Sequence, residues 1–391
     1  MSSAGPKRQA PQRLALDRLL DDRGTSILVC CGSGGVGKTT TAAALALRAA
    51  ERGRRVVVLT IDPARRLAQA MGLSELDNTP RTVKGVGKAA GGSLDAMMLD
   101  MKRTFDEVVE AHATPEKAAQ IRSNPFYEAM SSSFSGTSEY MAMEKLGQLR
   151  AQASVPGGSG ARDWDLIVVD TPPSRSALDF LDAPRRLSSF LDGRFIRLLM
   201  APAKVGSRAY LRVFSSAVGG MTGLMTRLLG AQVLKDVQAF VGALDTMFGG
   251  FRERAEQTYT TLQDEGTAFV VVAAPDPDAL REASYFVERL SAESMPLAGL
   301  VLNRVQTTAV PSLSAERSAA AAEQLAEDGE HPVTAGLLRL HAHRMRRVVR
   351  EQAVAARFTA AHPAVPVVQV PARAQDVHDL AGLRGIGEDL A

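Results

Sequence analysis

Unbroken apolar runs, rather than alternating ones, recur along the chain. Ser26–Cys31, Arg55–Ile61, Ala96–Leu99, Leu166–Val169, Ala268–Ala273, Gly299–Leu302 and Val365–Val370 each read as a strand covered on both faces. Helical stretches separate them, the first being the alanine-rich Thr39–Glu51, which Gly53 ends. The β-α-β order predicts an α/β fold, a doubly wound and mainly parallel sheet. Ahead of it, residues 1–12 form a polar tail, and Leu14 to Leu20 form a short helical pattern stopped by Asp21-Asp22-Arg23-Gly24. The expected organisation is tail and short helix over 1–23 and one domain over 24–391. Three regions depart from the alternation: helical excursions at about 101–150 and 185–262, and a polar, helical insertion of solvated character at about 307–360. At the end of the chain, Val377, Leu380, Leu383, Ile386 and Leu390 outline an amphipathic helix whose polar positions are mainly acidic. A helix packed on the sheet suits it better than an anionic membrane.

Composition narrows the class. With 45% hydrophobic and 23% charged residues among 391, the chain can build a large core. Lys and Arg number 46 against 43 Asp and Glu, a balance that gives no reason to expect nucleic acid as the main partner. The two cysteines, Cys30 and Cys31, are adjacent and point to opposite faces of a strand, so they make neither a disulfide framework nor a CxxC metal site. No apolar run approaches the ~20 residues of a membrane span, and no signal peptide is visible. The expected location is cytoplasmic, with a position peripheral to the membrane as the alternative.

The chemistry is concentrated where the first strand ends. Gly32-Ser33-Gly34-Gly35-Val36-Gly37-Lys38-Thr39 matches G-x-x-x-x-G-K-[ST], placed between a strand and a helix as a phosphate-binding loop must be. Glycines let backbone N–H groups turn inward around phosphate oxygens, and the helix N-terminus adds a favourable dipole. Lys38 supplies positive charge to the β- and γ-phosphates; Thr39 offers a hydroxyl to Mg²⁺. Asp170 ends an apolar strand, the setting in which a carboxylate reaches Mg²⁺ through its water shell. Asp62 ends another, at the edge of the sheet where such folds bind ligands. Gly85-Val86-Gly87-Lys88 lacks the upstream glycine and the following Ser or Thr and is a decoy.

Gly35–Thr41, Ile61–Leu67 (IDPARRL) and Val169–Pro173 (VDTPP) together resemble the ArsA-like ATPases, which include the arsenite-pump ATPase and the tail-anchored-protein targeting ATPase. The paired anion-transporting ATPases of actinobacteria look most similar. Ser132-Ser133, Gly136–Tyr140, Glu144-Lys145, Val301–Arg304, Val370-Pro371 and Asp376-Val377 extend the resemblance over roughly residues 25–390. It implies a dimeric ATPase using ATP and Mg²⁺, with Asp62 positioning the attacking water and Asp170 opening the second switch. Gly34, Gly35, Val36, Gly37, Lys38, Thr39 and Thr40 would hold the phosphates. Asn303 and Pro371 match the adenine-binding positions; the residue type suits Asn303, since a carboxamide offers both donor and acceptor, although it also suits a strand-end turn.

Two departures bear on function. Where the family places a lysine that crosses to the neighbouring subunit's nucleotide, this chain has Ser33. After Asp170 the family's Pro-Thr-Gly-His becomes Pro173-Ser174-Arg175-Ser176. The first points to a heterodimer with a lysine-bearing paralogue, a homodimer being the alternative. The cysteines that bind zinc or metalloid in relatives are absent, so arsenite activation loses its chemistry. Residues 193–235 carry seven basic side chains and no acidic one, and an apolar stripe runs from Met221 to Phe248. This region would meet an apolar client helix, a membrane-associated partner or only the other subunit. A targeting or chaperone-like motor is the first functional reading, and a nucleotide-binding regulatory subunit with little turnover is the second.

Overall fold

The computed structural model describes residues 13–62, 66–87, 90–124, 127, 137–153, 164–172, 253–329 and 331–391. Pro173–Ser176 and the basic, apolar segment 193–248 lie outside the described residues. The chain divides into two compact units. The first takes 1–98, 155–177 and 262–391; the second takes 99–154 and 178–261.

The first unit is built on one eight-stranded sheet. In chain order its strands are β1 (Ile27–Cys31), β2 (Arg55–Thr60), β3 (Arg81–Thr82), β4 (Ser93–Met98), β5 (Leu166–Asp170), β6 (Thr267–Ala273), β7 (Leu297–Val305) and β8 (Val367–Pro371). Their spatial order is β3-β4-β2-β5-β1-β6-β7-β8, with every pair parallel except β3 against β4. β1 and β6 are buried at every position, as unbroken apolar runs require of a sheet covered on both faces. The predicted doubly wound α/β architecture is therefore the observed one.

Helices cover this sheet. α1 (Leu16–Asp21) buries Leu16 and Leu20. α2 (Lys38–Glu51) buries all six of its alanines. That composition permits close approach, and α2 is a helix that alanine favours intrinsically. α3 (Arg66–Ala70) follows β2.

Arg54 ties the N-terminal segment down. Its guanidinium is 1% exposed and donates to Asp165 Oδ1 (2.5 Å) and to the carbonyls of Leu20, Asp22, Thr25 and Asp165. A planar fork of fixed donors suits that cluster of acceptors as an ammonium does not.

The second unit is helical where it is described. It contains α4 (Met101–His112), α5 (Pro115–Arg122), α6 (Thr137–Ala153) and helical residues 253–261. Asp100 caps α4 by accepting from Arg103 N, and Thr114 caps α5. Phe105 meets Tyr127 edge to face, Lys145 Nζ reaches Glu107 at 3.0 Å, and Arg254 Nε reaches Glu144 at 3.0 Å.

Back in the first unit, α7 (Pro277–Ala292), α8 (Ala315–Asp328), α9 (Pro332–Ala361) and α10 (Leu380–Asp389) complete the cover. The region read as solvated helices is helical and exposed at most positions, with one packed face. α8 and α9 pack on each other, and α9 also packs on α7. They bury Ala322, Ala335, Ala342, Val348, Val354 and Phe358. Small residues supply the inner side of α8, and larger apolar ones most of that of α9. The chain's last helix packs chiefly on α2, and also on β8, through Leu383 and Ile386. Among the described residues, no helix is long and apolar enough to cross a membrane.

Candidate active site

The phosphate-binding sequence forms a loop between the end of β1 and the start of α2. Gly32 must be glycine, because a Cβ there would lie 2.1 Å from the Val272 carbonyl oxygen. Gly37, at φ 94°, precedes the first helical residue in a left-handed conformation that glycine adopts without strain. Lys38 is buried, and its Nζ donates to the Ser33 carbonyl oxygen at 2.8 Å. Burial pulls the Lys38 pKa below its ordinary value, while the charges of Asp170 and Asp62 push it back up.

Asp170 sits at the end of β5, beside β1 and β2. It is fully buried; Oδ2 accepts from Thr60 Oγ1 at 2.9 Å, and Oδ1 has no hydrogen-bond partner. Burial raises its pKa to about 6, against the opposing pull of the Thr39 and Thr60 hydroxyls and of Lys38. The Asp62 charge raises it further. Thr60 Oγ1 also bonds the Asp62 N–H at 3.2 Å. One hydroxyl thus links the two carboxylate-bearing residues that end adjacent strands. Pro63, which follows Asp62, lies outside the described residues.

The structure brings Lys38, Thr39, Asp62 and Asp170 into one electrostatic neighbourhood. An orphaned, buried carboxylate oxygen beside a hydroxyl fits a hydrated divalent cation, which would satisfy Oδ1 and favour the ionised form. Gly35 has open space around it, as a phosphate cradle needs. Beyond the loop lies a cavity of about 550 Å³, lined by Thr40, Asn303 and Pro371 together with Arg66, Arg304 and Arg373. The residues expected at phosphate and at base therefore open on the same side. Asn303 is already engaged: Nδ2 donates to the Val36 carbonyl oxygen at 2.8 Å and Oδ1 accepts from Arg304 N at 2.9 Å.

The chain matches the family model for anion-transporting ATPases over residues 25–326. It belongs to that family. Its curated relatives include ATPase ARSA2 of Chlamydomonas reinhardtii, 26% identical over 74% of this chain and 70% of that protein. ATPase GET3 of Malassezia globosa is 24% identical over 74% and 76% of the two chains, and ATPase get3 of Schizosaccharomyces pombe 25% over 77% and 81%. As a member of an ATPase family the chain is an ATP-hydrolysing enzyme.

Other expectations from the sequence can be placed. Cys30 and Cys31 lie on β1, both fully buried; burial raises both thiols, that of Cys31 to about 12. No cluster of three metal-ligating side chains occurs among the described residues. In the decoy loop, Gly85 O accepts from Arg384 and Gly87 N donates to Glu51, so those groups are used in packing. Two residues of the site were not foreseen as such, Thr60 and Arg304. Thr60 is a hydroxyl where the β2 apolar run meets Asp62, and Arg304 Nη1 donates to the Gly35 carbonyl oxygen at 2.9 Å. Their signal was a polar side chain next to a residue already singled out.

Proposed function

We propose that this chain binds Mg-ATP in the loop formed by Gly34–Thr40 and hydrolyses it with Asp62 orienting water. The observation that carries the reading is Asp170 Oδ1, buried and unpartnered within the field of Lys38 and next to the helix N-terminus. Lys38 neutralises phosphate charge, and its present bond to the Ser33 carbonyl is one that a phosphate oxygen replaces. Thr39 and Asp170 hold Mg²⁺, Asp170 through water. The metal supplies charge neutralisation across the phosphates, and the protein supplies positioning and fixed dipoles. Asn303 and Pro371 border the base. Asp62→Asn tests the division of labour: Mg-ATP affinity stays, and single-turnover hydrolysis slows. Hydrolysis at the wild-type rate would refute the role of Asp62.

The working unit in this reading is a dimer in the cytoplasm, with nucleotide state read out by the basic and apolar segment 193–248 toward an apolar client or a membrane-bound partner. Ser33 supports a heterodimer with a lysine-bearing paralogue. Serine cannot neutralise developing phosphoryl charge on a neighbour's nucleotide, and trans-supplied cations are worth about 10³–10⁵ in rate in related chemistry. The isolated chain then turns over slowly, which is also the behaviour of a regulatory subunit. Light scattering with single-turnover hydrolysis decides the matter. A stable homodimer as fast as lysine-bearing relatives would end the heterodimer proposal.

A further inference from the structure

β7 and β8 pair regularly up to Leu302 opposite Gln369 and resume with Val305 opposite Pro371. Two residues of β7, Asn303 and Arg304, therefore stand against the single residue Val370. Arg304 takes the left-handed conformation at φ 60°, which an arginine rarely adopts. In a regular strand, consecutive side chains leave on opposite faces. A bulge lifts that rule and re-aims side chains, which is why bulges recur beside active sites. Here both side chains reach the same loop. Asn303 Nδ2 holds the Val36 carbonyl at 2.8 Å, and Arg304 Nη1 holds the Gly35 carbonyl at 2.9 Å. Asn303 is locked in turn by Arg304 N on its Oδ1.

We infer that the Asn303–Arg304 bulge is a brace for the phosphate-binding loop, holding two successive carbonyls so that the loop's N–H groups remain available to phosphate. This rests on the nucleotide-binding reading above and assigns these residues a positioning role separate from any contact with the base. A peptide unit pinned by its carbonyl cannot rotate freely, and a loop fixed before the ligand arrives loses less conformational entropy on binding. The brace packs tightly: a Cβ on Gly37 would lie 2.3 Å from Asn303 Nδ2. Asn303 keeps one amide N–H and one oxygen lone pair beyond these bonds, so bracing the loop and bordering the base are compatible in one side chain.

A ligand without a base separates the two roles. Mg-tripolyphosphate and Mg-ATP are titrated by calorimetry into the full chain, wild type, Asn303→Ala and Arg304→Gly. If the bulge braces the loop, Asn303→Ala weakens both ligands by a similar factor, about tenfold for one lost buried hydrogen bond. Arg304→Gly weakens both as well while melting no lower than wild type, because glycine accepts the φ of 60° and only the side-chain contact is lost. That separates positioning from general destabilisation. Loss confined to ATP in Asn303→Ala would overturn the brace and leave a base contact alone. Unchanged affinity for both ligands in both variants would overturn it too. Wild-type chain that binds neither ligand would overturn the nucleotide reading itself, and the brace with it.

Discussion

Replacing Asp170 by asparagine should stabilise the nucleotide-free protein at neutral pH. The carboxyl is fully buried, one oxygen has no partner, and its pKa is raised from 3.8 to about 6. A raised carboxyl binds its proton more tightly in the folded state than in the unfolded state. Between pH 4 and 6 the folded chain therefore carries more protons, and stability falls as pH rises through that window. Above it the cost of holding the ionised group is complete: about two pKa units at 1.36 kcal/mol each, or roughly 3 kcal/mol. Asparagine cannot ionise, and its carbonyl can still accept from Thr60, so the variant escapes this cost. Its advantage should be close to zero at pH 4 and approach 3 kcal/mol by pH 7.5, less whatever the new amide N–H loses by finding no acceptor. The chain's only tryptophan, Trp164, is buried just before β5, with Nε1 bonded to Asp95 at 2.9 Å. Its fluorescence during urea unfolding in EDTA thus follows the first unit alone, without assuming that both units unfold together. The same substitution should abolish the extra stability that Mg-ATP confers on wild type. An Asp170→Asn protein less stable than wild type at pH 7.5, or a difference independent of pH, would refute this account of the carboxylate.

Other consequences follow from single contacts. Arg54→Met removes a donor from the carbonyls of Leu20, Asp22 and Thr25 and from Asp165, which keeps Arg23 at 2.9 Å; urea unfolding should show a loss of about 1–3 kcal/mol, and Arg54→Lys should recover only part of it. Gly37→Ala forces φ 94° on alanine and drives its Cβ into Asn303, so calorimetry should find nucleotide binding weakened well beyond tenfold. Cys30 and Cys31 should resist iodoacetamide at pH 8 in the folded chain and react on denaturation, and arsenite should not stimulate hydrolysis; stimulation that disappears in Cys30→Ala or Cys31→Ala would contradict both statements.

The elements legible in the sequence were those whose burial alone specifies them. β1, β5 and β6 are unbroken apolar runs in the sequence and buried strands in the structure, and their order fixed the doubly wound class. β4 begins three residues earlier than its apolar pattern because Asp95 is buried inside it, accepting from Trp164 and Thr82 over distances in sequence that no local pattern records. The two-residue β3 is too short to leave a periodic signal. In α8 the inner face is Ala315, Ser318 and Ala322, small residues that leave little apolar signal, whereas α9 buries Met345, Val348, Val354 and Phe358 at helical spacing. In the site, the loop, Asp62 and Asp170 were visible because their spacing from strand ends is set by chemistry. Asn303 was visible only as a residue type. Its hold on Val36, and that of Arg304 on Gly35, depends on a register shift between β7 and β8 that hydrophobic periodicity does not encode.

The most direct test of the nucleotide site is calorimetric titration of Mg-ATP into the wild-type chain and into Lys38→Ala. Lys38 is the buried cation beside Asp170, and in this structure only the Ser33 carbonyl occupies its ammonium by hydrogen bonding among the described residues. The account predicts Mg-dependent binding of one nucleotide per wild-type chain and its loss in Lys38→Ala, with Trp164 fluorescence showing that the variant is folded. Undiminished affinity in a folded Lys38→Ala protein would contradict it.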